Sequence, residues 1–285
     1  MAIRVAGEFG AAVADRAAVS HPVPSRDRVK QRWSIPLTPD LAFQHLPHLR
    51  GRLKPAETSE LRGTWERVAA WDERARQRGF PPEWRLSDEQ LEATRRALLG
   101  DLLAAQRDIW IYGYGSLMWD PGFHFSEVRL AHLHGYQRRF TYWTRIARGT
   151  RERPALMLTL EKQADDACRS TGLAFRISAE LAEVESAMLW RREMLRNGYC
   201  PTLLPLDTPQ GPLQALVFAC NPAHDDYAGE MPLDETAAII AVATGAIGSN
   251  REYLEQMAAQ LQTLQIADPY VEQLLHRVRQ LTPPG

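Results

Sequence analysis

Apolar positions along this chain change character near residue 108. Upstream they recur at helical spacing: in "ETSELRGTWERVAAWDERARQRG", Leu61, Trp65 and Val68 form one stripe. Ser87, followed three residues later by Gln90, reads as a capping box, and Leu91, Leu98 and Leu102 share a face of the helix it opens. From Asp108 the pattern is that of strands. "DIWIYGYGSLMW" begins with an apolar run. "VRLAHLHGY", "RRFTYWTRI", "ALMLTLE", "STGLAFRI" and "LQALVFAC" are β-branched, aromatic or alternating, and turn formers bound them. One helix interrupts them, "SAELAEVESAMLWRREM", with Leu181, Val184 and Met188 on one side. The chain then runs into helices: "DETAAIIAVATGAIG", "NREYLEQMAAQLQTL" and "DPYVEQLLHRVRQL", the last with Asp268 as cap and Pro269 at the first helical position. Strands grouped first and helices afterwards predict an α+β domain on a small mixed sheet or barrel; a doubly wound fold would need regular alternation. Residues 1 to about 50 mix small residues, prolines and charges without a sustained period, so a loosely ordered extension is expected there.

Composition narrows the partners. Lys and Arg total 34 against 35 Asp and Glu, and a net charge of -1 gives no reason to expect nucleic acid or an anionic membrane. No apolar run reaches the roughly 20 residues that span a bilayer. Cys168, Cys200 and Cys220 show no CxxC spacing, which argues against a disulfide framework or a structural zinc site. Glu8 and Asp15 interrupt the start of the chain, against a targeting peptide. A cytoplasmic protein is expected.

Gly113 and Gly115, one residue apart after an apolar run, are how a phosphate-cradling loop begins. The dinucleotide fingerprint needs a third glycine where Met118 stands, and no GK[ST] follows. A simpler use survives. Backbone N–H groups on a concave turn can receive a carboxylate or a developing oxyanion, though two glycines can equally serve a tight turn alone. Other candidates carry less. His132 and His134 alternate like a pair of metal ligands without a third. At Ser116 the G-x-S-x-G pattern of a nucleophile elbow is broken by Met118. Cys200 is as readily a small core residue as a reactive thiol. Glu193 stands out as a carboxylate ending an amphipathic helix among Arg191, Arg192 and Arg196; the residues alone leave it open between a catalytic group and a solvated helix end.

Taken together, "WIYGYGSLMWDPGF", "HGYQRRF", "RGTRERPALMLTL", "TGLAFRI", "WRREM", "GY" and "AVATGAIGSNREYL" resemble the ChaC-type γ-glutamylcyclotransferases, in order, over about residues 86 to 281. The link from "RREM" to Tyr199 is longer than in the compact form of the motif, which is similar to the bacterial branch. The resemblance implies a small mixed β-barrel with helices around it as residues 86–285, preceded by an extension, residues 1–85, unstructured at first and then helical. It implies cleavage of glutathione to 5-oxoproline and cysteinylglycine with no metal or organic cofactor. The substrate's own α-amine would attack its γ-carbonyl. Glu193 is then the expected general base and acid, and Ile111, Tyr112, Gly113, Tyr114, Gly115, Ser116, Leu117 and Tyr199 the expected substrate-binding residues. A non-catalytic γ-glutamyl-binding protein, a cyclotransferase for another γ-glutamyl amine and a serine amidase through Ser116 are the alternatives.

Overall fold

The computed structural model describes residues 38–281, which belong to one compact unit spanning Leu37–Gly285. Most of the stretch expected to be loosely ordered, residues 1–37, lies outside the described residues. Its remainder departs from that expectation. Asp40–Phe43 and Pro47–Leu49 form two 3-10 turns that bury Ala42, Phe43 and Leu49 in the main core. Phe43 meets Phe125 edge-on at 5.6 Å. Turns this short bury only one or two side chains each, so no periodicity announces them.

Two helices, α1 (Trp65–Gln77) and α2 (Asp88–Ala104), precede the sheet. Then come β1 (Ile109–Gly113), β2 (Glu127–His134), β3 (Tyr136–Thr144), β4 (Ala155–Lys162) and β5 (Arg169–Ile177). Helix α3 (Ala179–Glu193) leads into β6 (Tyr199–Leu206) and β7 (Leu213–Cys220). Helix α4 (Leu233–Val242), a two-rung hairpin of β8 (Thr244–Gly245) and β9 (Gly248–Ser249), α5 (Asn250–Thr263) and α6 (Pro269–Leu281) complete the described chain. No helix among the described residues is long and apolar enough to cross a membrane.

The sheet order is β2-β5-β1-β7-β6. β1 runs antiparallel to β5 and parallel to β7, so the sheet is mixed and β1, flanked on both sides, reads as a continuous apolar run. A single bridge joins the two ends of the sheet: His132 N–H donates to Asp207 O at 2.8 Å and Asp207 N–H to His132 O at 3.0 Å. Five strands thus curl into a ring, while β3 and β4 pair as a separate ribbon with a bulge between Phe140 and Tyr142. The expected α+β barrel is present.

Strand β6 was not expected, because Pro201 and Pro205 stand inside it. It pairs with β7 alone, apart from the closing bridge beyond its end, and proline is tolerated on an edge where its missing N–H is not needed. The caps at Ser87/Gln90 and at Asp268 form as expected. The face of α3 does not. Instead of Leu181, Val184 and Met188, the buried residues are Ala182, Glu185, Ser186, Leu189 and Trp190, and Val184 is 52 % exposed. Two of the buried residues are polar, which hid the stripe, and both have arginine partners: Arg62 grips Glu185, and Arg95 donates to Ser186 Oγ at 2.9 Å.

Candidate active site

The glycine loop leaves β1 at Gly113 and turns through a 3-10 segment, Ser116–Met118. A Cβ on Gly113 would stand 3.1 Å from both Leu117 Cβ and the Phe175 ring, so the loop folds closely back on its own strand. Its carbonyl oxygens are occupied by side chains from three other elements. Arg138 Nε donates to Tyr114 O at 2.7 Å, Gln260 Nε2 to Met118 O at 2.7 Å, and Arg192 Nη1 to Asp120 O at 2.7 Å. The N–H groups of Ser116 and Leu117 open the turn and have no acceptor within it. The loop therefore presents donors.

The loop borders a cavity of about 250 Å³ whose lining includes Tyr114 to Leu117, Arg192, Glu193 and Tyr199, together with Arg148, Phe218 and Tyr253. Tyr253 comes near enough that a Cβ on Gly115 would lie 3.3 Å from its hydroxyl. Tyr114 is fixed by its own hydroxyl, which donates to Phe218 O at 2.9 Å. A second chamber, about 260 Å³, adjoins the first, and Leu61, Ala147, Arg192, Glu193, Tyr199 and Ile247 line both. Glu193 stands at the junction.

Four residues beyond Leu189, Glu193 continues the buried face of α3 to its last residue. Its side chain is 14 % exposed, and Arg192 Nε lies 3.0 Å from its Oε1. Burial raises the carboxyl's pKa; the Arg192 charge and hydrogen bond oppose the rise without cancelling it. Ending a helix adds the unfavourable end of the backbone dipole. The same arginine donates through Nη2 to Ser116 Oγ at 3.0 Å, so one guanidinium ties the carboxylate to the loop. Burial, and secondarily neighbouring negative charge that includes Glu193, pushes Tyr114, Tyr199 and Tyr253 up, so all three keep their hydroxyl protons at neutral pH.

Of the residues singled out in sequence, Tyr114, Gly115, Ser116, Leu117, Glu193 and Tyr199 meet around this cavity. Ile111, Tyr112 and Gly113 do not line it. They lie in β1, Ile111 and Tyr112 fully buried, with the Tyr112 hydroxyl donating to Ser170 O at 2.8 Å. The sequence reading missed Tyr253, Arg148 and the role of Arg192. A capping box at Ser249 and Glu252 was the available signal for the helix that carries Tyr253. His132 Nδ1 lies 2.9 Å from Thr171 Oγ1, and His134 Nε2 3.0 Å from Asp207. Among the described residues, no three His, Cys, Asp or Glu side chains gather as a metal site.

A family model described as ChaC-like protein matches residues 109–281. The chain is 37% identical over 191 residues to a glutathione-specific γ-glutamylcyclotransferase of Escherichia coli, covering 66% of this chain and 81% of that one. It is also 37% identical over 161 residues to glutathione-specific γ-glutamylcyclotransferase 1 of Danio rerio, covering 55% and 81%. Among solved structures, a γ-glutamyl cyclotransferase specific to glutathione from yeast superposes with a TM-score of 0.57 at 26% identity, covering 61% of this chain and 96% of that one. The matched residues include the glycine loop, Arg192, Glu193, Tyr199 and Tyr253, and the chain belongs to the ChaC-like family.

Proposed function

We propose that this protein is a glutathione-specific γ-glutamylcyclotransferase, cleaving glutathione to 5-oxoproline and cysteinylglycine. One observation carries the reading: a buried carboxylate with a raised pKa lines the same cavity as the glycine loop, Tyr114 to Leu117. In the reaction, the α-amine nitrogen bonds to the γ-carbonyl carbon, the bond from that carbon to the cysteine nitrogen breaks, and one proton passes from the first nitrogen to the second. Water is not consumed. The nucleophile is tethered to its target, and holding such a pair in line can recover about 7–11 kcal/mol of barrier.

Each group then has a task. N–H groups of the segment Tyr114–Leu117 bind the carbonyl oxygen as negative charge grows on it, an interaction whose removal costs roughly 3–4 kcal/mol per donor. Ile111, Tyr112 and Gly113 hold the start of that loop in the sheet. Glu193 takes the amine proton and returns it to the departing nitrogen; its raised pKa suits both halves of the task. Arg148 lines the cavity while its Nη1 donates to Ser249 O at 3.1 Å and lies 3.6 Å from Glu252; it is suited to the glutamyl α-carboxylate, and the protonated Tyr199 and Tyr253 can donate to substrate. No step calls for a metal or organic cofactor. The catalytic groups fall within residues 86–285. A serine amidase would need a base at Ser116, and the residues lining this cavity include no histidine. Reduced glutathione as substrate, with Cys168, Cys200 and Cys220 all free thiols, fits a cytoplasmic enzyme.

The test is product analysis. Purified protein given glutathione should release 5-oxoproline and cysteinylglycine. Glu193→Gln keeps the side chain's shape without its basicity and should slow turnover at least ~100-fold while glutathione still binds. Release of free glutamate would point to the amidase, and an undiminished variant would remove Glu193 from the mechanism.

A further inference from the structure

The second chamber has walls that the catalytic loop does not supply. Trp71, Arg74 and Trp84 line it from α1 and the turn after it, opposite Trp143 and Ile146 of the β3 end. All three upstream residues precede position 109, where the family match begins. The segment that carries them is built onto the catalytic helix. Arg62 makes two 2.8 Å hydrogen bonds to Glu185 and a third, at 2.9 Å, to Gly122 O. A Cβ on Gly63 would lie 2.2 Å from Met188 O, so only glycine permits this approach to α3. Arg191 donates to Gly63 O and lies 4.1 Å over the Trp65 ring. Trp84 is held in turn, its Nε1 donating to Asp72, which Arg85 grips at 2.7 Å and 2.9 Å.

Charge in this chamber is uneven. Arg192 is engaged with Glu193 and the loop, and Arg196 is paired to Asp226 at 2.6 Å, although its Nε is buried without a hydrogen-bond partner. The side chain of Arg74, a half-buried residue on this wall, has no ion-pair or hydrogen-bond partner among the described residues. A carboxylate that moves a proton between two nitrogens must reach both, and Glu193 borders both chambers. With the glutamyl end at the loop, the second chamber receives the amine that leaves.

We propose that the segment Leu61–Trp84 forms the leaving-group wall of the site, with Trp71 and Trp84 against the departing peptide and Arg74 binding its terminal carboxylate. The proposal rests on the cyclotransferase reading above and adds a specificity element to it. Arg74 is a binding residue and takes no part in bond making.

The experiment compares glutathione with its glycinamide, which lacks only the terminal negative charge, by 5-oxoproline release from the full-length protein. Wild type should favour the acid over the amide in kcat/KM by at least about ten-fold, the range of one hydrogen bond to a charged group. In Arg74→Gln that preference should collapse towards unity, with the loss on glutathione carried mainly by KM. Arg74→Lys, which keeps the charge, should restore much of it. An acid-to-amide ratio unchanged by Arg74→Gln, with 5-oxoproline still formed, would overturn the proposal and leave the cyclotransferase reading standing. No 5-oxoproline from either compound with wild type would overturn both.

Discussion

Glu193 is ordinary by position, the last residue of a helix, and unusual in being enclosed there. Because burial raises its pKa above the ordinary 4.5, the folded protein holds a proton that the unfolded chain has released between those two values. Stability therefore falls as pH rises through that window. Glu193→Gln removes the ionisation. Thermal midpoints of variant and wild type should coincide below about pH 4. They should then separate, with the variant the more stable at pH 8. A wild type as stable as the variant at pH 8 would mean that Arg192 compensates the buried charge fully. At this scale the residues alone go only part of the way: the glycine loop stands out by its paired glycines, while Glu193 stays open between a catalytic group and a solvated helix end until the family resemblance singles it out. Tyr253 does not stand out, since nothing local distinguishes a tyrosine that reaches a cavity from one that packs.

Helix α3 shows where pattern reading stops at the scale of an element. Its buried face mixes Glu185 and Ser186 with Ala182, Leu189 and Trp190, while Val184 is exposed, which breaks the amphipathic stripe. The polar residues are tolerated because two distant segments supply arginines: Arg62, before α1, to Glu185, and Arg95, in α2, to Ser186. Only the folded chain brings these pairs together, so no window on the helix sequence contains the reason. Arg62→Ala would leave Glu185, 3% exposed at its side chain, as an uncompensated buried charge. The expected loss is about 3–5 kcal/mol in denaturant unfolding, and Arg62→Met with Glu185→Leu should recover most of it. If the single variant costs under about 1 kcal/mol, water reaches that carboxylate. β6 is the converse case, a strand concealed by two prolines that only an edge accommodates.

Across the whole molecule, the strand-rich centre and the helices after it follow from hydrophobic period alone, whereas the ring closure does not. That closure depends on one backbone bridge, between His132 of β2 and Asp207, the residue after β6. Every other neighbouring pair in the five-stranded sheet shares a run of rungs, except β1 with β7, which lies in the sheet interior. The ring thus has a seam. In native-state hydrogen exchange, the amides of His132 and Asp207 should open with a smaller free energy than those of Ile111 and Tyr112 in the central strand. Equal protection at the seam and at β1 would show a barrel that opens only as a whole. Such a seam also sets how the protein ages in solution. A ring fastened at one point can part there while its core holds, briefly exposing two strand edges to other chains. Pro201 and Pro205, which obscure β6 in the sequence, are what make one of those edges a poor template for them.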